Sequence, residues 1–133
     1  MLRTKNANDT KYVNKKFSIL TFKYAFEGIS AALKEEPNLK FHFLAALLIL
    51  ILSFILRISQ QDWITIIILI GFVITIELTN TAIEAVVDKF IDTTHPGAKL
   101  AKDISAGAVL AVAVTAATVG LIIYLPYLKQ WIT

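Results

Sequence analysis

Three long apolar stretches, separated by short polar segments, dominate the pattern of this chain. They cover residues 41–56, 63–87 and 105–128. A helix rises about 1.5 Å per residue, so roughly 20 mostly apolar residues are needed to cross the hydrocarbon core of a bilayer. The second and third stretches meet this length outright, and the first meets it once Leu39 or Ile58 is included. The pattern predicts transmembrane helices at about 39–57, 63–87 and 105–128.

The segment before the first stretch has a mixed pattern. Between residues 17 and 35, apolar residues recur at near-helical spacing with polar residues between them. A helix this polar does not span a bilayer, so we predict an amphipathic helix at the membrane surface. Pro37 ends it, because proline disfavours helical geometry at Glu36 and has no amide hydrogen. Residues 1–16 lack an apolar period and are predicted to form a mobile cytoplasmic tail.

Composition agrees with a membrane protein. Hydrophobic residues make up 56% of the 133 residues and charged residues only 17%, unlike an ordinary soluble domain. The length predicts one domain, so residues 1–133 are predicted to form a single all-α, membrane-embedded domain. The chain has no cysteine, which excludes disulfides, thiolate metal sites and thiol catalysis.

Positive charges predict the orientation. Residues 1–40 contain eight Lys/Arg, the loop before the third span contains three, and the other loop and the C-terminal tail contain one each. Eleven of the thirteen therefore lie on one side, which the positive-inside rule predicts to be cytoplasmic, together with the N-terminus. In that second loop, Pro96-Gly97 predicts a turn. Basic residues that flank spans explain the net charge of +3, so we expect no nucleic-acid partner.

Four polar residues interrupt the second apolar stretch, in the sequence "IELTNTAIEAVVDKF". A carboxylate near the centre of a bilayer costs about 3 kcal/mol even on lenient scales, yet this segment carries Glu77, Glu84 and Asp88 besides Asn80. At about 100° per residue, all four project from one helix face, spread over about 16 Å of its axis. The charge pattern places this acidic stripe at the cytoplasmic end of the span.

Three interpretations of the acidic stripe remain open from the residues alone. Carboxylates can bridge neighbouring helices, but three on one face repel each other unless a cation intervenes. Mg²⁺ is commonly held by one or two carboxylates, waters and nucleotide phosphates, and Glu36 and Lys102 are predicted at the same level; this arrangement suits phosphoryl transfer to a lipid hydroxyl. The third interpretation is a small oligomeric cation channel. The apolar run 63–76 favours an enzyme open on one side only.

The third span predicts self-association. It contains many Ala, Gly, Ser and Thr residues, and small residues let helices approach closely in lipid. A bundle of three helices also has little interior in which to shield the acidic stripe. We therefore predict a homo-oligomer with polar sites near the subunit boundaries.

Three segments, "FKYAFEGISAALKEEPN", "ELTNTAIEAVVD" and "AKDISAGAVL", resemble the prokaryotic diacylglycerol kinase family, which includes the undecaprenol kinases of Gram-positive bacteria. The resemblance extends from about residue 17 to 124. It implies a homotrimer of three-span subunits in the bacterial cytoplasmic membrane, each with an N-terminal surface helix. It also implies Mg²⁺-dependent transfer of the ATP γ-phosphate to a membrane lipid alcohol, with undecaprenol favoured over diacylglycerol by "EEPNLKFH" and "HPGAKLAKD".

The resemblance also implies roles for individual residues. Glu77 matches the catalytic base, and Asn80 matches an amide that orients Glu77 or a phosphate oxygen. Glu36 and Glu84 match the pair that holds the nucleotide-bound metal. The residues that match nucleotide-contacting positions are Tyr24, His95, Lys102 and Asp103.

Two positions depart from the better-known branch of the family. Phe17 stands where that branch has an arginine that contacts nucleotide, and Lys16 is the alternative cation. His42 stands where that branch has a second glutamate after the metal-binding one. As a residue at a helix start, His42 is expected to act as an interfacial anchor or hydrogen-bond donor.

Overall fold

The computed structural model describes residues 7–91 and 95–132, with side chains from 21 to 91 and from 95 to 130. Over these ranges the chain forms four α-helices: α1 (Ala7–Glu35), α2 (Pro37–Leu56), α3 (Gln60–Phe90) and α4 (Pro96–Ile132). The chain divides into two compact units, Met1–Glu35 and Glu36–Thr133. The prediction of an all-α protein is confirmed.

The first unit contains α1, which ends at Glu35 as the proline rule predicts. Its start differs from the prediction: the helix begins at Ala7, within the segment 1–16 that was predicted as a tail. The chain has no proline or glycine before Gly28, and lysine and alanine in this region are good helix formers, so nothing local stops the helix at Phe17. Residues 1–6 lie outside the described residues.

The second unit contains three helices long and apolar enough to cross a bilayer, namely α2, α3 and α4. This confirms the prediction of three helices long and apolar enough to span a bilayer. Helix α3 packs against both α2 and α4. Large apolar side chains on the outside of the unit, such as Phe54 and Ile122, are about two thirds or more exposed, as expected for surfaces that face lipid or another subunit.

Local sequence explains where these helices begin and end. Pro37 occupies the start of α2, where its missing amide hydrogen has no helical partner to lose. The helix ends in a Schellman motif, with Arg57 in the left-handed conformation (φ 51°), its amide bonded to Phe54 O and the amide of Ile58 bonded to Ser53 O. Ser59 then caps α3 by accepting a hydrogen bond from the amide of Asp62 at 3.2 Å.

The prediction of a turn at Pro96-Gly97 is wrong, because both residues belong to α4. Proline is favoured at the first position of a helix, since it needs no amide partner there. His95 precedes the helix and caps it, its Nδ1 accepting a hydrogen bond from the amide of Gly97 at 3.0 Å. A Cβ atom at Gly97 would lie 3.1 Å from this Nδ1, so a larger residue there would require the exposed His95 ring to move by a few tenths of an ångström. Helix α4 thus starts nine residues before the predicted span at 105.

The densest packing in this unit lies at the end that contains the α2–α3 turn, here called the loop end. Its buried residues Leu56, Ile58, Ile66 and Tyr124 form one apolar cluster. The opposite end, which contains the start of α2, the acidic stripe of α3 and the start of α4, is here called the charged end.

Candidate functional site

Glu77 is the most deeply buried ionisable side chain of the acidic stripe. It lies on α3 with 3% of its surface exposed. The ring of His42 on α2 faces it, with Nε2 4.0 Å from Glu77 Oε2. This distance is too long for a hydrogen bond. A buried carboxylate in this setting can accept a proton or a hydrogen bond from a group placed between the two helices.

The remaining carboxylates of the candidate site come from two helices. The carboxylate of Glu77 interacts electrostatically with Glu84, about two turns further along α3, and with Glu36 at the start of α2. Glu36 and Glu84 are both half-buried. The fold therefore brings within electrostatic range residues that lie 41 or more positions apart in the sequence. The sequence alone predicted only that these residues lie at a similar depth in the membrane.

Asn80 organises the stripe from within. Its Nδ2 donates a hydrogen bond to Glu84 Oε1 at 3.2 Å, which fixes one oxygen of that carboxylate. Its own Oδ1 is buried and, within the part of the chain that the structure describes, has no hydrogen-bond partner. Leaving a buried acceptor unpaired costs about 1–3 kcal/mol, so this atom is a polar position that a bound group can satisfy.

Lys102 supplies a positive charge from α4. Its Nζ bonds both oxygens of Asp88, at 2.9 and 3.0 Å, and it also interacts electrostatically with Glu84 and Glu36. The pair is partly exposed, with 35% of the lysine and 50% of the aspartate side chain accessible. Sequence reasoning gave Asp88 no role of its own; the structure shows that it holds Lys102 beside the acidic stripe.

Other predicted site residues have local partners. His95 caps α4 through Gly97, and Asp103 hydrogen-bonds Lys99 one turn earlier on the same helix. Tyr24 lies on α1 in the first unit with 63% of its surface exposed. The nucleotide-binding roles of these three residues stay predictions.

The carboxylates fit a Mg²⁺ bound together with a nucleotide. No group of three or more His, Asp or Glu residues able to hold a metal occurs within residues 21–91 and 95–130, so these residues do not build a metal cage of their own. Mg²⁺ commonly takes only one or two carboxylates and completes its shell with waters and phosphate oxygens. Glu36 and Glu84, the two carboxylates predicted to bind the metal, have the chemistry that such a site uses, and one oxygen of Glu84 is held by Asn80.

Comparison with known proteins identifies the family. The family described as prokaryotic diacylglycerol kinase matches residues 23–124. This chain belongs to that family. The expectation of a lipid kinase is thereby confirmed at the level of the family, and the matched range includes the whole acidic stripe.

Two relatives show the range of the family. The chain is 44% identical over 108 residues to undecaprenol kinase of Bacillus subtilis, a match that covers 81% of this chain and 88% of the relative. It is 33% identical over 109 residues to diacylglycerol kinase of a Synechocystis species, covering 81% of this chain and 62% of the relative. The chain thus matches nearly the full length of the first relative and under two thirds of the second.

Proposed function

We propose that this protein is a Mg²⁺-dependent lipid kinase that transfers the γ-phosphate of ATP to the hydroxyl of undecaprenol. The observation that carries the proposal is the buried carboxylate of Glu77, set in the electrostatic field of Glu36 and Glu84 at the charged end. Family membership supports lipid phosphorylation. The relative with the higher identity and coverage is an undecaprenol kinase, which favours the prenyl alcohol over diacylglycerol.

Each residue of the candidate site has a task in this reaction. Glu77 accepts the proton of the lipid hydroxyl while the hydroxyl oxygen attacks the γ-phosphorus. The bond from that phosphorus to the bridging oxygen of ADP breaks. Glu36 and Glu84 would hold Mg²⁺, which neutralises charge on the phosphates when it is bound. Lys102 adds a positive charge near the phosphates, and Asn80 keeps Glu84 in place. Burial excludes water from Glu77, which limits hydrolysis of ATP.

In the first experiment, purified protein in detergent micelles is given ATP labelled at the γ-phosphate. The micelles contain undecaprenol and diacylglycerol at equal mole fractions. We expect label mainly on undecaprenol, and none when EDTA removes divalent cations. Label on neither lipid would overturn the kinase proposal. Label mainly on diacylglycerol would overturn the assignment of undecaprenol as the substrate, and full labelling in EDTA would overturn the requirement for Mg²⁺. A cation channel, the rival class, is not supported by membership of a kinase family.

We also propose that the protein lies in the bacterial cytoplasmic membrane with its N-terminus in the cytoplasm, and that it forms a homotrimer. Because the chain has no cysteine, single cysteines can report topology. We expect Gln61→Cys, at the loop end, to react with a membrane-impermeant thiol reagent in intact cells. Lys99→Cys, at the charged end, should react only after the membrane is opened. The reverse result would invert the orientation, and chemical cross-linking with mass analysis tests the trimer.

A further inference from the structure

An apolar cavity of about 310 Å³ lies between α2, α3 and α4. Its floor is formed by aliphatic side chains of α3 between Ile66 and Ile74, and Ile66 is fully buried at 3% exposure. The walls on α2 and α4 consist largely of small residues, namely Ala45, Ala46, Ala113, Ala116, Ala117 and Gly120. At the rim, Phe41 and Ala117 are exposed, so the cavity reaches the surface of the helices.

The two ends of this cavity differ. His42 and Tyr124 are the polar residues of its lining. His42 lies at the charged end, with its Nε2 4.0 Å from Glu77 Oε2. At the loop end the hydroxyl of Tyr124 is 2.5 Å from Ser53 Oγ, a hydrogen bond that joins α4 to α2 and closes the cavity. The cavity therefore opens beside the proposed catalytic base and ends against a satisfied, buried hydrogen bond.

The size of the cavity limits what fits inside. Its lining spans from His42 to Ile49 on α2 and from Ala113 to Tyr124 on α4, a length of about 10–16 Å at the helical rise per residue. An apolar cavity of about 150 Å³ accepts a benzene-sized group, so 310 Å³ has room for roughly a dozen carbon atoms. The cavity thus holds about one apolar chain, and the second chain of a diacylglycerol would have to lie outside this volume.

We propose that this cavity binds the hydroxyl-proximal part of a single-chain prenyl alcohol and thereby selects it over two-chain lipids. The inference rests on the proposed function, because it assigns the head of the chain to Glu77. With the hydroxyl between His42 and Glu77, the first prenyl units lie along the alanine-rich walls, whose small side chains leave space for methyl branches. The rest of a long chain leaves the cavity through its rim into the bilayer.

Two positions on α4 allow the cavity to be filled from one side. A Cβ atom added at Gly120 meets nothing within 4 Å, so a larger side chain there extends into open space rather than into a neighbour. Ala116 is half-buried and also lines the cavity. Ala111 is exposed and, at about 100° per residue, lies on the opposite face of the same helix. It provides a matched control.

The kinetic test compares Gly120→Leu and Ala116→Leu with Ala111→Leu in the micellar assay. We expect both cavity variants to raise the KM for undecaprenol about tenfold or more, as overpacking an occupied apolar site does, with the KM for ATP unchanged. Ala111→Leu should leave both constants unchanged. A wild-type KM for undecaprenol in both cavity variants would overturn the cavity proposal while the kinase proposal stands.

A binding test on the unmodified chain covers the case in which the leucine variants do not fold. A short prenol with a diazirine at its distal end is photolysed with the protein in micelles, and the adducts are mapped by mass spectrometry. Adducts on residues 66–74 of α3 or on the α4 lining residues Ala113, Ala116, Ala117 and Gly120, reduced by excess undecaprenol, would support the cavity as the binding site. Adducts confined to the opposite face of α4, at the exposed residues Ala111, Thr115 and Ile122, would overturn it. Adducts in the cavity without any phosphorylated lipid would overturn the proposed function alone.

Discussion

The loop end and the charged end of the three-helix unit satisfy their polar groups very differently. At the loop end, Tyr127 donates to Asp62 Oδ2 at 2.6 Å and accepts from the amide of Ser59 at 3.0 Å. Ser59 Oγ also donates to Asp62 at 2.7 Å. At the charged end, Glu77 is buried 4.0 Å from His42, and Asn80 Oδ1 has no partner among the described residues.

This difference separates stability from function within one small bundle. At the loop end the buried hydroxyls of Ser53 and Tyr124 follow the rule that buried polar groups find partners, and their hydrogen bond joins α2 to α4. At the charged end, Asn80 Oδ1 departs from that rule among the described residues, and departures of this kind concentrate at functional sites. Substitutions at the two ends should therefore change different measurements, and four predictions, from the largest effect to the smallest, test this separation.

The strongest test is Glu77→Gln at the charged end. Removing a general base lowers turnover by about 10²–10⁴-fold, and we expect a fall of this size in the kcat for lipid phosphorylation. Neutralising a buried carboxylate should leave the thermal stability in micelles unchanged or raise it slightly. The control is Asp62→Asn, on the same helix at the loop end, which should keep turnover within about twofold. Full activity in Glu77→Gln would remove this residue from the base role.

The next test concerns the metal. Glu36→Gln and Glu84→Gln each remove one proposed Mg²⁺ ligand, so we expect the Mg²⁺ concentration for half-maximal activity to rise by about tenfold or more, equivalent to about 1.4 kcal/mol. Excess Mg²⁺ should restore part of the rate, which distinguishes lost affinity from misfolding. Glu35→Gln changes the neighbouring, exposed carboxylate and should leave the Mg²⁺ requirement unchanged. An equal effect from Glu35→Gln would contradict the assignment.

A smaller effect is expected from the ion pair between Lys102 and Asp88. Lys102→Met removes the positive charge near Glu36 and Glu84, so the KM for ATP should rise by about fivefold, whereas Asp88→Asn should change it by less than about twofold because partly exposed pairs contribute little. Lys99→Met is the matched control, since Lys99 pairs with Asp103 on its own helix. Measurement at several salt concentrations checks the electrostatic origin, because added salt should weaken the Lys102 effect.

The smallest expected effect on activity comes from Tyr127→Phe at the loop end. The variant loses a hydrogen bond to a carboxylate and one from a backbone amide, so we expect the free energy of unfolding to fall by about 1–2 kcal/mol. Turnover and both KM values should remain at wild-type levels. The check is thermal unfolding in micelles beside the lipid assay. A loss of turnover larger than the loss of stability would show that the two ends are functionally coupled.

Local features of the sequence were enough for part of the fold. Apolar length alone predicts three spanning helices, and Pro37 alone predicts the boundary between α1 and α2. The start of α4 could not be predicted in this way, because hydropathy identifies only the apolar part of a helix. Polar turns that precede the apolar part are not detected. Residues 96–104 are polar enough to look like a loop, yet Pro96 suits the first helical turn and Lys99 bonds Asp103 one turn later.

The candidate site shows the same division. Helical periodicity and family resemblance single out Glu77, Asn80 and Glu84 on one helix, since their spacing along one chain segment is fixed by the helix itself. Their partners on other helices did not follow from periodicity. That His42 faces Glu77, and that Asp88 holds Lys102, depends on how α2 and α4 pack against α3. The cavity between the three helices has the same origin.

The sequence by itself determined that the chain is helical, that three of its helices suit a bilayer, and that one carries an acidic stripe, because these properties depend on the residues of one continuous segment. Only the tertiary structure decided which carboxylates lie together, which polar atom stays unpaired and where an apolar chain has room. Those depend on distances between residues that are 14 to 75 positions apart, and such distances are set by the packing of side chains from separate helices.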